Sequence, residues 1–337
     1  MRRREFIIGG LAGLGAAAGL PAALRARPVQ EGRSDAPATV PVIISTWSHG
    51  VVANRVAAQI LQVGGDAMTA AVRGVMVVEE DPEVTSVGRG GFPNCDGVVE
   101  LDAAVMDGDT LQAGAVAALR GILHPVAVAR KVMDSTPHVL LVGEGARAFA
   151  LASGFPEEEL LTEKSKKAWE EWRAKKKGAA GGGAPKPDGE THDTIGLVAL
   201  DRGGKIVAAT STSGLAWKLP GRVGDSPVVG HGLYADSAAG GAVATGLGEE
   251  IAKICGAYAV VERMRQGMEP AAAIREVLER AIRRDPNNRG TLLAMVALRR
   301  DGTVGAGSIV PGFQAAITRG TEHELVDVPA LVAPAGK

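Results

Sequence analysis

His192-Asp193-Thr194-Ile195-Gly196 joins two stretches of opposite character. Upstream runs Ala179-Ala-Gly-Gly-Gly-Ala-Pro-Lys-Pro-Asp-Gly189, whose glycines and prolines disfavour regular structure. Downstream, Leu197-Val-Ala-Leu200 is a short apolar run that predicts a buried strand. A tether that enters a core strand directly suggests that Thr194 becomes a chain terminus. A threonine hydroxyl is a weak nucleophile until a base removes its proton. A free α-amine on the same residue, with a pKa near neutrality, can be that base. In an intact chain the amine is locked in an amide, so the chemistry waits on cleavage of the Asp193–Thr194 bond. The neighbours suit such a cleavage. Thr194 can attack the Asp193 carbonyl, Asp193 can take the hydroxyl proton, and His192 can assist proton transfer to the leaving nitrogen.

Outward from this junction, residues 195–200 and 205–210 read as two strands joined by the hairpin signal Asp201-Arg-Gly-Gly204. Residues 246–265 and 270–284 read as amphipathic helices. Strands follow at 291–298, 305–310 and 313–318. In the first half, Val42-Ile-Ile44 reads as a strand. A helix opens at Gly50 with Val52, Val56, Ile60 and Leu61 on one face, and a second covers 67–78. Asp81-Pro82 ends the second, since the residue before proline is pushed out of helical geometry. Strands are expected at 98–101, 103–106 and 139–142, another short element at 114–118, and helices at 125–133 and 145–153. Residues 157–177 predict a charged surface helix that lays Trp169 and Trp172 on the body. Hairpin turns rather than βαβ crossovers favour antiparallel sheets covered by helices, an α+β layered fold.

The chain has 337 residues, with 37 Lys+Arg against 38 Asp+Glu, so no charge footprint marks nucleic acid as a partner. Lys175-Lys-Lys177 is offset by Glu157-Glu-Glu159 and Glu170-Glu171. Two cysteines make neither a disulfide framework nor a zinc site. Cys255, in an apolar helical run, is expected in the core; Cys95 lies in a glycine-rich loop. Six histidines form no ligand cluster, so neither metal nor cofactor is implied. Ser86-Val-Gly-Arg-Gly-Gly91 lacks the Lys-Ser/Thr of a phosphate cradle and reads as close backbone packing. At the N-terminus, Arg2-Arg-Arg-Glu-Phe-Ile-Ile8 and the Gly/Ala/Leu stretch after it resemble a twin-arginine export signal over residues 1–30, which implies a periplasmic or secreted bacterial protein.

A dense polar series follows position 210. Thr210-Ser-Thr-Ser-Gly214 ends a strand. In Gly221-Arg-Val-Gly-Asp-Ser-Pro227, Arg222 can fork onto a carboxylate and Asp225 can hold an ammonium, which suits a zwitterion. In Ala244-Thr-Gly246, a hydroxyl and an adjacent N–H form a candidate oxyanion hole. Taken singly, Arg222 and Asp225 also fit a surface ion pair, Thr245 a helix cap, and His49 and His231 packing groups.

These motifs together resemble the glycosylasparaginase (aspartylglucosaminidase) family of N-terminal-nucleophile hydrolases. Ser45-Thr-Trp47, Ser86-Val-Gly88, Leu101-Asp-Ala103, Met106-Asp-Gly108 and Leu140-Leu-Val-Gly-Glu144 extend the likeness from near Pro41 to near Thr318. The resemblance implies a four-layer αββα sandwich, made as one precursor and self-cleaved into an α-subunit ending at Asp193 (residues 31–193, with 157–192 its charged helix and tether) and a β-subunit, residues 194–337, that stay together as one globular domain. We expect the αβ unit to form a dimer. Carried over by position, Thr194 is the nucleophile of both self-cleavage and hydrolysis, and Thr212 contacts its hydroxyl or amine. Arg222 takes the α-carboxylate of an asparagine-linked small molecule, and Asp225 its α-amine. Thr245 and Gly246 form the oxyanion hole, and Trp47 lines the pocket. The implied activity is hydrolysis of the side-chain amide of glycosylated asparagine. An L-asparaginase or β-aspartyl peptidase of the same superfamily is the alternative, and an exported non-catalytic amino-acid-binding protein a third reading. Ser48 and Arg89 depart from the family pattern on the leaving-group side.

Overall fold

The structure, a computed structural model, describes residues 41–178 and 193–332. The export-signal segment, the tether and His192 lie outside them. In chain order the elements are β1 (Val42–Thr46), α1 (Gly50–Gln62), α2 (Ala67–Glu79), β2 (Leu101–Asp107), β3 (Ala113–Leu119), α3 (Pro125–Ser135), β4 (Leu140–Val142), α4 (Gly143–Ala152) and α5 (Glu163–Gly178). After the junction come β5 (Ile195–Leu200), β6 (Ile206–Thr212), β7 (Leu233–Asp236), β8 (Gly240–Gly246), α6 (Gly248–Lys253), α7 (Gly256–Arg265), α8 (Pro270–Arg284), β9 (Leu293–Arg299), β10 (Val304–Ser308), β11 (Gln314–Arg319) and β12 (Glu322–Asp327).

Eight strands form one sheet in the order β12-β11-β1-β5-β6-β2-β3-β4, and four form a second, β10-β9-β8-β7. Every pairing is antiparallel except β3 with β4. Successive strand residues point to opposite faces. Ile43, Ala103, Ile195, Leu197 and Val207 therefore meet α1, α2 and α3 on one side. Val42, Ile44, Ala104, Val198 and Ile206 meet the second sheet on the other. A third core joins that sheet to α7 and α8 through Val260, Ile274, Val277 and Met295. Two sheets back to back with helices outside are the αββα sandwich. Small residues let the sheets approach: a Cβ on Gly196 would lie 2.7 Å from Val243 Cγ2, and one on Gly241 2.7 Å from Val198 Cγ1.

Several expectations change. Residues 98–101 and 103–106 are not two strands; β2 is one strand whose register shifts between Leu101 and Ala103. Residues 246–265 are not one helix. The chain turns through Cys255, in left-handed geometry at φ 47°, so α6 and α7 are separate helices. That turn leaves Cys255 exposed instead of in the core. The buried face of α1 is made by Ala53, Ala57, Ala58 and Leu61, while Val52 faces outward at 50% exposure. Alanines suit a helix held this close to α2 and the sheet. Helix α5 starts at Glu163, later than expected, and its tryptophans do reach the body. Trp172 stacks on Trp217 with centroids 5.4 Å apart, and Trp169 Nε1 donates to the Cys95 carbonyl at 3.2 Å. Among the described residues no helix is long and apolar enough to cross a membrane.

Candidate active site

The junction lies where the two sheets meet. Thr194 immediately precedes β5 and is buried, at 6% exposure. Both ends of the connecting peptide are held. Ser86, in the glycine loop after α2, donates to the Asp193 carbonyl at 2.9 Å. The Thr194 N–H donates to Thr245 Oγ1 at 3.1 Å. Thr46, at the end of β1, donates to the Thr194 carbonyl at 2.6 Å and accepts the Gly196 N–H at 2.8 Å. The threonine side chain meets the Ser226 hydroxyl at 3.2 Å. Burial pushes the Asp193 carboxyl up to about 6.

Thr245, next to last in β8, lies beside this peptide, and its Oγ1 also accepts the Trp47 indole N–H at 3.0 Å. Trp47 takes a left-handed backbone, φ 65°, as the chain leaves β1, and its ring packs edge-on against Phe313 at 5.0 Å. Gly246 has φ 105°, and a Cβ there would fall 2.1 Å from the Leu292 carbonyl oxygen, so only glycine fits. Thr212 ends β6 beside the same cavity. Its hydroxyl bonds the Ser86 carbonyl at 3.3 Å and accepts the Gly214 N–H at 2.9 Å. The hydroxyl that reaches the Thr194 side chain is that of Ser226.

Thr194, Thr212, Gly214, Arg222, Asp225 and Gly246 line one cavity of about 10 Å³, roughly the space for a single water. Arg222 closes one wall, forked onto Glu249 by Nε to Oε1 at 2.8 Å and Nη2 to Oε2 at 2.6 Å. Asp225 is 4% exposed, and its Oδ2 has no hydrogen-bond partner among the described residues. Burial pushes its carboxyl up to about 7, against the pull of Arg222. An unpaired buried carboxylate is costly, and a cation in this cavity would relieve that cost.

The loop bearing Arg222 rests on a buried ionic layer. Lys218 Nζ donates to the Glu100 carbonyl at 3.1 Å and lies 3.9 Å from Asp102 Oδ2. Glu100 Oε2 accepts the Gly221 N–H at 3.1 Å. Burial lowers the Lys218 ammonium and raises the Asp102 carboxyl, with their mutual attraction opposing both shifts.

Every predicted site residue in the described region therefore gathers around Thr194. Sequence reasoning passed over Ser86, Ser226, Thr46 and Glu249. All four stand inside or beside motifs it quoted, but a serine in a glycine loop carries no mark of which carbonyl it will reach.

A family profile described as Asparaginase matches residues 46–327. An N(4)-(Beta-N-acetylglucosaminyl)-L-asparaginase of Elizabethkingia miricola is 45% identical over 281 residues, covering 82% of this chain and 81% of that protein. The N(4)-(beta-N-acetylglucosaminyl)-L-asparaginase of Mus musculus is 36% identical over 293 residues, 79% of this chain and 84% of its own. A probable isoaspartyl peptidase/L-asparaginase 3 of Arabidopsis thaliana is also 36% identical over 293 residues, covering 76% and 81%.

Proposed function

This chain belongs to the asparaginase family of N-terminal-nucleophile hydrolases, and from that premise we propose that it is a self-activating amidohydrolase that cleaves the side-chain amide of glycosylated asparagine. The observation that carries it is the buried Thr194, whose peptide is gripped at both ends beside the Arg222 and Asp225 wall of one cavity.

In the precursor, Thr194 Oγ1 adds to the Asp193 carbonyl carbon. Ser86 stands at the oxygen that takes up negative charge, the position a preorganised donor must hold. The C–N bond breaks, the hydroxyl proton goes by way of Asp193 to the leaving nitrogen, and an ester remains. Water then hydrolyses the ester, giving a carboxylate on Asp193 and a free amine on Thr194. With its carboxyl near 6, Asp193 is ionised and able to accept a proton at neutral pH. His192 assists the proton transfer in this scheme.

The cavity of about 10 Å³ is too small for an asparagine derivative, in keeping with a substrate that enters after the upstream end departs. Arg222 then binds the α-carboxylate and Asp225 the α-ammonium. The Thr194 amine takes the proton of its own hydroxyl, the oxygen attacks the amide carbon, and Thr245 with the Gly246 N–H holds the oxyanion. Trp47 holds the Thr245 hydroxyl in place, and Thr212 fixes the strand end facing the nucleophile. The substrate amine leaves with the proton that the Thr194 ammonium returns to it, and water, giving a proton to the freed Thr194 amine, releases aspartate from the acyl-enzyme. Residues 31–193 and 194–337 are the two subunits, paired as a dimer of αβ units, and residues 1–30 direct twin-arginine export to the periplasm.

Purified protein is expected to run on a denaturing gel as two fragments that part at Thr194, and a single full-length band at all times would sink the proposal. Thr194→Ala should abolish cleavage and hydrolysis together. The Arabidopsis relative favours a second reading, hydrolysis of free asparagine or β-aspartyl dipeptides. Comparing the rates on these and on sugar-linked asparagine decides between them.

A further inference from the structure

We infer that Glu249 is a positioning residue that sets which edge of the Arg222 guanidinium faces the substrate, and so fixes the requirement for a free α-carboxylate. The inference rests on the proposed role of Arg222.

A guanidinium offers two forks to a planar acid, the Nε–Nη2 edge and the Nη1–Nη2 end. Glu249 occupies the first with two bonds, Nε to Oε1 at 2.8 Å and Nη2 to Oε2 at 2.6 Å. The second diverges from the first, and two glycines lie beside its Nη1. A Cβ on Gly214 would lie 3.1 Å from Nη1, and one on Gly224 would lie 3.1 Å from the same atom. Those glycines line the cavity together with Thr194 and Asp225. Any side chain at either position would crowd Nη1. The exposure runs in the same direction. The Glu249 side chain is 44% exposed and that of Arg222 15%, so the pair enters from outside and delivers its free end inward. Bidentate pairing fixes orientation as well as charge, and Arg222 can then present Nη1 and the second Nη2 hydrogen to one carboxylate.

The location of Glu249 adds a second effect. It follows Gly248, whose Cβ would lie 2.5 Å from Asp225 Oδ1, so the turn into α6 packs directly on the other half of the proposed zwitterion site. The Glu249 charge raises the Asp225 carboxyl while Arg222 lowers it. One surface carboxylate thus acts on both recognition groups: it orients the cation and makes the anion harder to ionise. Asp102 also bears on Asp225 from the loop's underside and raises it further, and Lys218 faces Arg222 across Gly214.

The test uses the processed enzyme and the Glu249→Gln and Glu249→Asp variants, on the substrate the wild type turns over best and on its analogue lacking the α-carboxylate. Glu249→Gln should self-cleave like the wild type. Its KM for the carboxylate substrate should rise about tenfold or more, the scale of one charge-assisted hydrogen bond, with kcat within about threefold. For the analogue, KM measured well above the Asp225 value of about 7, where that carboxyl is ionised in both enzymes, should not change, because Arg222 has nothing there to orient. The acid limb of kcat/KM should move to lower pH as Asp225 becomes easier to ionise, and Glu249→Asp should recover part of the KM. An unchanged KM, an equal rise for both substrates, or a lower KM (a resident carboxylate that competes with substrate) would each overturn the inference. A wild type inactive on every aspartyl amide would instead remove the proposed function beneath it.

Discussion

Two buried carboxylates lie on opposite sides of the eight-stranded sheet, and they are treated differently. Glu79, at the end of α2, is fully satisfied. Oε1 accepts the Val126 N–H at 3.0 Å and the Ser211 hydroxyl at 2.7 Å, and Oε2 meets His124 Nδ1 at 3.1 Å. Asp225 has an Oδ2 with no partner among the described residues. Burial raises both carboxyls above their ordinary range. The difference teaches what each is for. Glu79 ties α2, α3 and β6 together and backs the loop that carries Ser86, since the Arg89 N–H donates to its carbonyl at 2.8 Å. Asp225 keeps its Oδ2 unbonded among the described residues, which a structural role would not require.

The comparison can be broken most severely at Glu79. Glu79→Ala strands His124, Ser211 and the Val126 N–H, and should lower unfolding free energy by about 3 kcal/mol in a denaturant titration. Asp225→Asn should do the reverse in kind, lowering kcat/KM by about a hundredfold while leaving the fold intact. The pH dependence sharpens the contrast. The folded Asp225 carboxyl stands at about 7 against 3.8 ordinarily. Its contribution to stability is therefore full below about 3.8 and is lost as pH rises through about 7. Asp225→Asn should accordingly melt higher than wild type at pH 8, with the gain gone at pH 4. In wild type, kcat/KM should climb as pH rises through about 7, because ammonium binding needs the ionised form.

His49 supplies the opposite sign. Burial pushes its imidazole down from 6.5 to about 4, against a weaker pull from Asp81. Its contribution is present above 6.5 and is lost as pH falls through about 4. His49→Leu should therefore flatten the melting temperature over that acid window. The smallest effect belongs to Cys255→Ser. An exposed residue should shift stability by less than about 0.5 kcal/mol, whereas a core cysteine would cost several times more.

Much of the architecture was legible because strong periodic segments dominate it: β5, β6, α2, α3 and α8 all stand close to where their patterns put them. What escaped has physical causes. β8 is Gly-Gly-Ala-Val-Ala-Thr-Gly, too poor in branched residues to look like a strand, yet those small residues are what let the sheets close on Thr194. β12 is a charged edge strand with almost no buried face. The left-handed turn at Cys255 interrupts an unbroken apolar period. At the site, the sequence names the residues but not their partners. Arg222 and Glu249 lie 27 positions apart, and Ser86 and Asp193 lie 107 apart. Only the folded sheets bring such pairs within bonding distance.

The strand order carries one more consequence. β1 to β4 precede Thr194 and β5 onward follow it, yet β1 is inserted between β11 and β5, and β2 is hydrogen-bonded to β6. The two portions are interleaved like the fingers of clasped hands, with ladder hydrogen bonds at three seams. A break before Thr194 would cut the covalent thread without creating a separable pair. Dilution could not part the pieces, because parting them means unfolding the sheet, and a lost fragment could not be replaced by simple rebinding.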